Sequence, residues 1–339
     1  MTALRTLMVG FGEIASGLDQ DLRMARYFKY ASHASVLSVH PAFDWLGTVD
    51  LREEALIGAR DKWQVPVVET DLAAAIEKVR PEVAVLATPP GQRAEAIAAM
   101  PDLKAVLVEK PLSGPNDNDG KALATICAER GIPVLVNYWR RADRNFRDLA
   151  AGGLKTRIGA PQAVFGIYGK GLANNCSHMI DFLRMLLGDV AAVQALGPAV
   201  PAPDSTVPND LQLPFALTLE DGTVASFGMI DFDHYREVGL DIWGEHGRLS
   251  VLLEGLSATF FPVADNRGLE NAHEVSPDAG EMLPSTVSDS LYRMYDNLAA
   301  IAAGTAAPWS SLASALINEK IKERILLSAA EGGTRLTVD

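Results

Sequence analysis

The chain has 339 residues, 48% hydrophobic and 22% charged, with a formal net charge of −13. That length exceeds one ordinary hydrophobic core, so two domains are expected and disorder is not. The acidic balance leaves no basic stripe for a nucleic acid, and the two cysteines, Cys127 and Cys176, are too few for a disulfide framework, which points to a reducing, cytoplasmic setting.

The N-terminal run LRTLMVGFG is too short for a secretory leader and is interrupted by Glu13, and no stretch nears the ~18 apolar residues of a membrane span. Leu4 to Val9 reads as a buried strand, followed by GFGEIASG. Gly10, Gly12 and Ala15 match G-x-G-x-x-[GA]: a tight turn, a close backbone approach to a pyrophosphate, and close helix–strand packing. The motif follows a strand and opens a helix whose free N–H groups favour anions, so Gly10, Phe11, Gly12, Glu13 and Ile14 are candidate cofactor ligands. FDWLGTVD is the next strand. Asp50 at its end suits the adenosine ribose of NAD, or is only an exposed strand-end carboxylate. Leu51 lies beside it, and Arg52 leaves NADP open by offering a partner for a 2′-phosphate. Gly12 and Asp50 are further apart than the usual ~20 residues, so YFKYASHASVLSVHP is expected to be an insertion.

PEVAVLATPP, KAVLVEKP and IPVLVNYW are apolar runs alternating with helical stretches, the pattern of a doubly wound parallel sheet covered on both faces. Thr88 and Pro89 form a turn at one strand end. VEKPL puts Glu109, Lys110 and Pro111 at another, where such sheets bind ligands, so Thr88, Pro89, Glu109 and Lys110 are candidate cofactor ligands too. There Lys110 is an acid/base candidate or a surface lysine, and its bond to Pro111 is open to the cis form. Tyr138, Arg140 and Arg141 follow the last strand, with at least one expected to face substrate and the other arginine expected to be solvated. Past Trp139 the pattern changes. QAVFGIYGKG is a strand feeding the polar run KGLANNC, and SHMIDFLRMLLGD is an amphipathic helix with His178 and Asp181 on one face. Hairpin signals around EDG and EHG, then ATFFPVAD, predict a large, mostly antiparallel sheet with one open face. SLASALINEKIKERILLSAAEGG closes the chain as a helix with a glycine stop. No cluster of Cys, His or carboxylates stands at metal-ligand spacing, so no metal is expected and Cys176 reads as a packing residue.

GFGEIA, ATPP, VEKPL and KGLANNCSHMIDFLR together resemble the Gfo/Idh/MocA oxidoreductases over nearly the whole chain. The resemblance implies an α/β protein: an N-terminal Rossmann domain (1–137), and a C-terminal α/β domain (138–339) with a large open-faced sheet, the closing helix at about 310–331 packing back on the first. It implies NAD or NADP as cofactor and a sugar, cyclitol or nucleotide-linked sugar as substrate, with Lys110 as acid/base group and Pro111 near the nicotinamide. An apolar open sheet face is usually covered by a second subunit, so a homodimer or homotetramer formed through that face is expected. His178 and Asp181 match the family's second motif, but Asn174 stands where an acid is usual, Cys176 where glycine is usual, and Arg93 where a histidine often follows the T-P turn. The proton work is therefore expected to fall on Lys110 and His178. Asn174 is expected to bind a substrate hydroxyl. Asp181 either touches substrate or orients His178, and Lys170 and Tyr168 either reach substrate or end a solvated strand. Two alternatives stand on the same fold: a non-catalytic NAD(P)-binding sensor or co-repressor, and an NAD-dependent glycoside-cleaving enzyme.

Overall fold

The computed structural model describes residues 2–22, 24–114 and 118–338. It divides into two compact units, residues 1–142 with 288–316, and residues 143–287 with 317–339.

In the first unit, β1 (Leu4–Val9), β2 (Phe43–Val49), β3 (Val67–Glu69), β4 (Val83–Leu86), β5 (Ala105–Val108) and β6 (Val134–Val136) form a parallel sheet in the order β3-β2-β1-β4-β5-β6. β4, β5 and β6 are apolar and buried at every position, because both faces are covered. Ala84, Leu86, Val106 and Val108 pack with Ala75, Ile97 and Leu123 on one face. Val83, Val85, Leu107 and Leu135 pack with Ala34, Leu37, Met294 and Leu298 on the other. The strand order reverses between β1 and β4, and such a reversal opens a ligand crevice at the carboxyl ends of the strands. The turns carrying Gly10, Asp50, Thr88, Lys110 and Tyr138 all lie at that edge. β3, only three residues long, has no periodicity to announce it.

The helix expected from the glycine turn is broken in two. Ser16 N–H donates to the Gly12 carbonyl at 3.0 Å, and the chain then departs. It returns as the helix His33–Leu37, where His33 N–H donates to Ile14 (3.1 Å) and Ala34 N–H to Ala15 (2.8 Å). These bonds have helical register if two residues, Ser16 and Ser32, bridge Ala15 to His33. The insertion is therefore Gly17–Ala31, and the expected one is corrected: YFKYASHASVLSVHP contains the Rossmann helix itself, which at five residues is too short, and too rich in Ser and Val, to stand out. Without Gly17–Ala31, Gly12 and Asp50 stand 23 residues apart, close to the usual ~20. Phe28 meets Trp139 edge-on at 5.9 Å, and Tyr30 lies against Tyr292 at 4.9 Å. Deleting Gly17–Ala31 should give a folded protein with one continuous helix, less stable by ~1–3 kcal/mol for the two lost aromatic pairs. Urea unfolding reads this, and a non-cooperative transition would show the register to be wrong.

In the second unit the strands are β7 (Pro161–Tyr168), β8 (Val190–Ala195), β9 (Val200–Pro201), β10 (Leu211–Gln212), β11 (Phe215–Leu219), β12 (Val224–Met229), β13 (Gly239–Gly244), β14 (Gly247–Leu252), β15 (Ser257–Asp265), β16 (His273–Val275), β17 (Glu281–Leu283) and β18 (Leu336–Thr337). Its large sheet runs β16-β15-β14-β13-β7-β12-β11-β8-β18, with β17 on β15. Among the described residues only β7 and β12 pair in parallel there, and the two expected hairpins are β11–β12 and β13–β14. Val164, Phe227, Ile242 and Leu249 are buried on one face, and the helix Ser177–Leu187, buried at Met179, Phe182, Leu183 and Leu186, packs against β13. The opposite face of this unit leaves Phe165 45% and Val224 47% exposed, with Arg248 stacked over Trp243 and Phe261.

Candidate active site

Gly10 has φ +90°, and a Cβ there would lie 2.8 Å from the Ala87 carbonyl carbon, so only glycine fits. A Cβ on Gly12 would meet nothing within 4 Å, which leaves open the side from which a pyrophosphate approaches. Phe11 N–H donates to Asp50 Oδ2 at 2.8 Å, tying the turn to the end of β2. Asp50 also accepts from Arg52: N–H (2.9 Å) and Nε (3.0 Å) on Oδ1, and Nη2 (3.1 Å) on Oδ2. Burial works to raise this carboxyl, but hydrogen bonds from the Arg52 side chain and backbone and from Phe11 outweigh it and hold the group below the usual carboxylate range. Leu51 is 84% exposed beside it. Glu13 is exposed with its carboxylate folded against Gly17, and Ile14 is half-buried. The open turn and anchored carboxylate fit a dinucleotide. Asp50→Ala should weaken NADH binding about tenfold to a hundredfold, the worth of hydrogen bonds to a charged group, and narrow the preference over NADPH. Fluorescence titration with both cofactors checks it.

Lys110 is half-buried at the end of β5, and its bond to Pro111 is cis. Glu109, expected among the cofactor ligands, is instead buried. Its Oε1 accepts from His33 Nε2 (2.9 Å) and Asn137 Nδ2 (2.5 Å), and Tyr295 Oη lies 2.8 Å from His33 Nδ1. Burial opposes the Glu109 charge, yet the His33 hydrogen bond and charge, then Asn137 and Lys110, hold its carboxyl below the usual range. Arg93 is buried and donates Nη1 to the Pro111 carbonyl at 2.7 Å and Nη2 to the Thr88 carbonyl, locking the two turns together. Thr88 is half-buried and Pro89 exposed. Tyr138 and Arg140 are buried, Arg140 lying 4.2 Å over the Trp139 ring, while Arg141 donates to Ser314 at 3.3 Å, so neither arginine is simply solvated.

In the second unit, Lys170 adopts a left-handed conformation (φ 60°) and offers no side-chain cap to the helical run that follows. The cap comes from Asp210. Its carboxylate accepts from Ala173 N–H (3.0 Å), Asn174 N–H (3.0 Å), Leu211 N–H (2.9 Å) and Ser205 Oγ (2.8 Å), satisfying donors that a helix start leaves open. A Cβ on Gly171 (φ +93°) would run into that carboxylate. Asn174 and His178, four residues apart and both half-buried, share one face of the run. Asp181 is buried and accepts from Asn318 Nδ2 at 2.8 Å, and Asn318 accepts from Arg184 at 2.6 Å. Tyr168 does not reach outward. It is buried, donating to the Leu213 carbonyl (2.7 Å) and accepting from its N–H (3.0 Å). Cys176 is buried, and burial, with Asp210 nearby, raises its thiol well above the usual range. Burial pushes Cys127 up to about 11.

Residues 4–138 match a family model described as an oxidoreductase family with an NAD-binding Rossmann fold, and residues 162–250 match the GFO/IDH/MocA C-terminal domain. The chain belongs to the Gfo/Idh/MocA oxidoreductases. Its first domain is the family's NAD-binding domain, and its cofactor is NAD. A search of curated proteins finds no match. Among solved structures it is similar to the WlbA dehydrogenase from Bordetella pertussis in complex with NADH and UDP-GlcNAcA, at 19% identity and TM-score 0.72, covering 99% of each chain. It is also similar to a levoglucosan dehydrogenase in complex with NADH, at 18% identity and TM-score 0.73, covering 100% of each. A third is an oxidoreductase from Agrobacterium radiobacter in complex with NAD+, L-tartaric acid and magnesium, at 17% identity and TM-score 0.71, covering 99% of each. These likenesses show the fold.

For this member of the family, sequence reasoning missed His33, Asn137, Tyr295 and Asp210, each joined to its partners across long stretches of chain. The departure at Arg93 was visible, but not its reach to Pro111. Among the described residues, Asp204, Asp231 and Asp233 bring carboxylate oxygens within 4.8 Å of one another on an exposed surface, a grouping linear spacing does not reveal. No helix among the described residues is long and apolar enough to cross a membrane.

Proposed function

We propose that this oxidoreductase moves hydride between NAD and a secondary hydroxyl of a sugar, cyclitol or nucleotide-linked sugar. The observation that carries the reading is the lysine turn: Lys110 ends β5 at the ligand edge of an NAD-binding sheet, its neighbours Glu109 and Pro111 held by His33 on one side and Arg93 on the other. Bound NAD supplies the hydride acceptor or donor. Lys110 takes the hydroxyl proton in the oxidative direction and returns it in the reductive one. His178 and Asn174 hold substrate hydroxyls. Asp181, buried on Asn318, steadies the helix that carries His178. Lys170, Tyr138 and Arg140 shape the substrate side. The relatives crystallised with UDP-GlcNAcA, or named for levoglucosan, support a sugar-like substrate. The open sheet face, with Phe165 and Val224 outward, supports a homodimer or homotetramer.

A nicotinamide-absorbance screen of sugars, inositols and nucleotide sugars with NAD and NADP tests this. Turnover with a member of one class establishes it. A flat response to all, with NAD still bound, would favour the sensor, and product formed with bound NAD regenerated each cycle would favour the glycoside-cleaving reading.

A further inference from the structure

Four buried polar side chains from separate parts of the sequence meet behind the lysine turn: His33, Glu109, Asn137 and Tyr295. Of these, Tyr295 belongs to a buried apolar cluster that includes Met8, Val85, Leu107, Leu135, Met294 and Leu298. A buried ionic cluster adds little stability over well-packed apolar residues of the same volume, so its place directly beside Lys110 calls for another account. The order of the contacts supplies one. Burial, reinforced by the Glu109 charge, raises the Tyr295 hydroxyl well above its usual range, so it keeps its hydrogen, and its Oη lies 2.8 Å from His33 Nδ1. The other ring nitrogen, Nε2, donates to Glu109 Oε1 at 2.9 Å, since an ionised carboxylate can only accept. The carboxylate so fixed belongs to the residue preceding Lys110. On the far side, Arg93 holds the Pro111 carbonyl.

We propose that His33 and Tyr295 are positioning residues for the Lys110 amine: the chain Tyr295 to His33 to Glu109 locks one carboxylate beside the lysine, so that its amine is held in one place against one charge. Asn137 completes the lock from β6. The proposal rests on Lys110 as the acid/base group, but its test needs neither substrate nor turnover. Tyr295→Phe keeps the ring and removes only the O–H to His33, and His33→Gln removes the imidazole link. In each, the rate at which trinitrobenzenesulfonate modifies Lys110 at one fixed pH is measured by peptide mass mapping, with Lys121 and Lys155 as exposed internal controls. The expected result is a change of about threefold to tenfold at Lys110, the worth of one hydrogen bond in the chain, with the control lysines, the melting temperature of Tyr295→Phe and NADH affinity unmoved. An unchanged Lys110 rate in folded Tyr295→Phe overturns the proposal, whatever the fate of His33→Gln. An equal change at all three lysines overturns it too, since that reports general loosening. A flat substrate screen would sink the proposed reaction and leave this result standing.

Discussion

Lys110→Met lowers kcat by about a hundredfold to ten-thousandfold, the usual contribution of a positioned acid/base group, while NADH affinity stays within about twofold because the amine is not part of the dinucleotide turn. Methionine keeps the length of the stem and removes only the titrating group, so packing at the end of β5 is preserved. The loss should fall on kcat and kcat/KM together, since an interaction made only while the proton moves is absent from the ground state. His178→Ala should behave differently if His178 holds substrate, raising KM as well as lowering kcat. Steady-state kinetics on the substrate found by the absorbance screen, with fluorescence titration of NADH, separates the two. Near-normal turnover in Lys110→Met would remove the lysine from the reaction.

The parts of the fold legible from sequence were those built from local pattern. VAVL, AVLV and VLV read as buried parallel strands because every position is apolar, and EDG and EHG read as hairpins because turn chemistry is local. The glycine turn, the Glu-Lys-Pro turn and the His178 helix were visible for the same reason. What stayed hidden depends on contacts between distant residues. The insertion was misplaced because the decisive bonds, Ala34 to Ala15 and His33 to Ile14, skip the inserted residues and leave no periodicity. Glu109 looked like a cofactor ligand because nothing near it in sequence announces that His33, Asn137 and Tyr295 enclose it. Asn174 in the place of an acid suggested a site short of negative charge. The structure supplies a carboxylate 36 residues downstream, Asp210, but spends it on backbone N–H groups, so it holds the loop in shape and is not left over as a base.

The same enclosure makes the His33–Glu109 pair the point where a single substitution should cost most stability. His33→Leu leaves a buried carboxylate with Asn137 as its remaining side-chain donor, and breaking a buried pair from one side costs ~3–5 kcal/mol. Glu109→Leu leaves the imidazole still bonded to Tyr295, at a cost of ~1–3 kcal/mol for its unmet Nε2–H. The double variant replaces both partners by apolar groups in an apolar cluster and should recover most of the loss, giving a coupling of opposite sign to the single losses. The pH dependence gives an independent check. The folded-state carboxyl lies below its ordinary, unfolded value, so its contribution is complete above the usual glutamate range and fades as pH falls through the depressed folded value. Without His33 the carboxyl loses its strongest donor and takes up its proton at higher pH, which relieves the buried charge. The gap between wild type and His33→Leu in urea unfolding should therefore be widest near neutral pH and shrink in acid. A gap that holds constant into acid would mean that the lost free energy is packing volume, and that Glu109 carries no buried charge for His33 to hold.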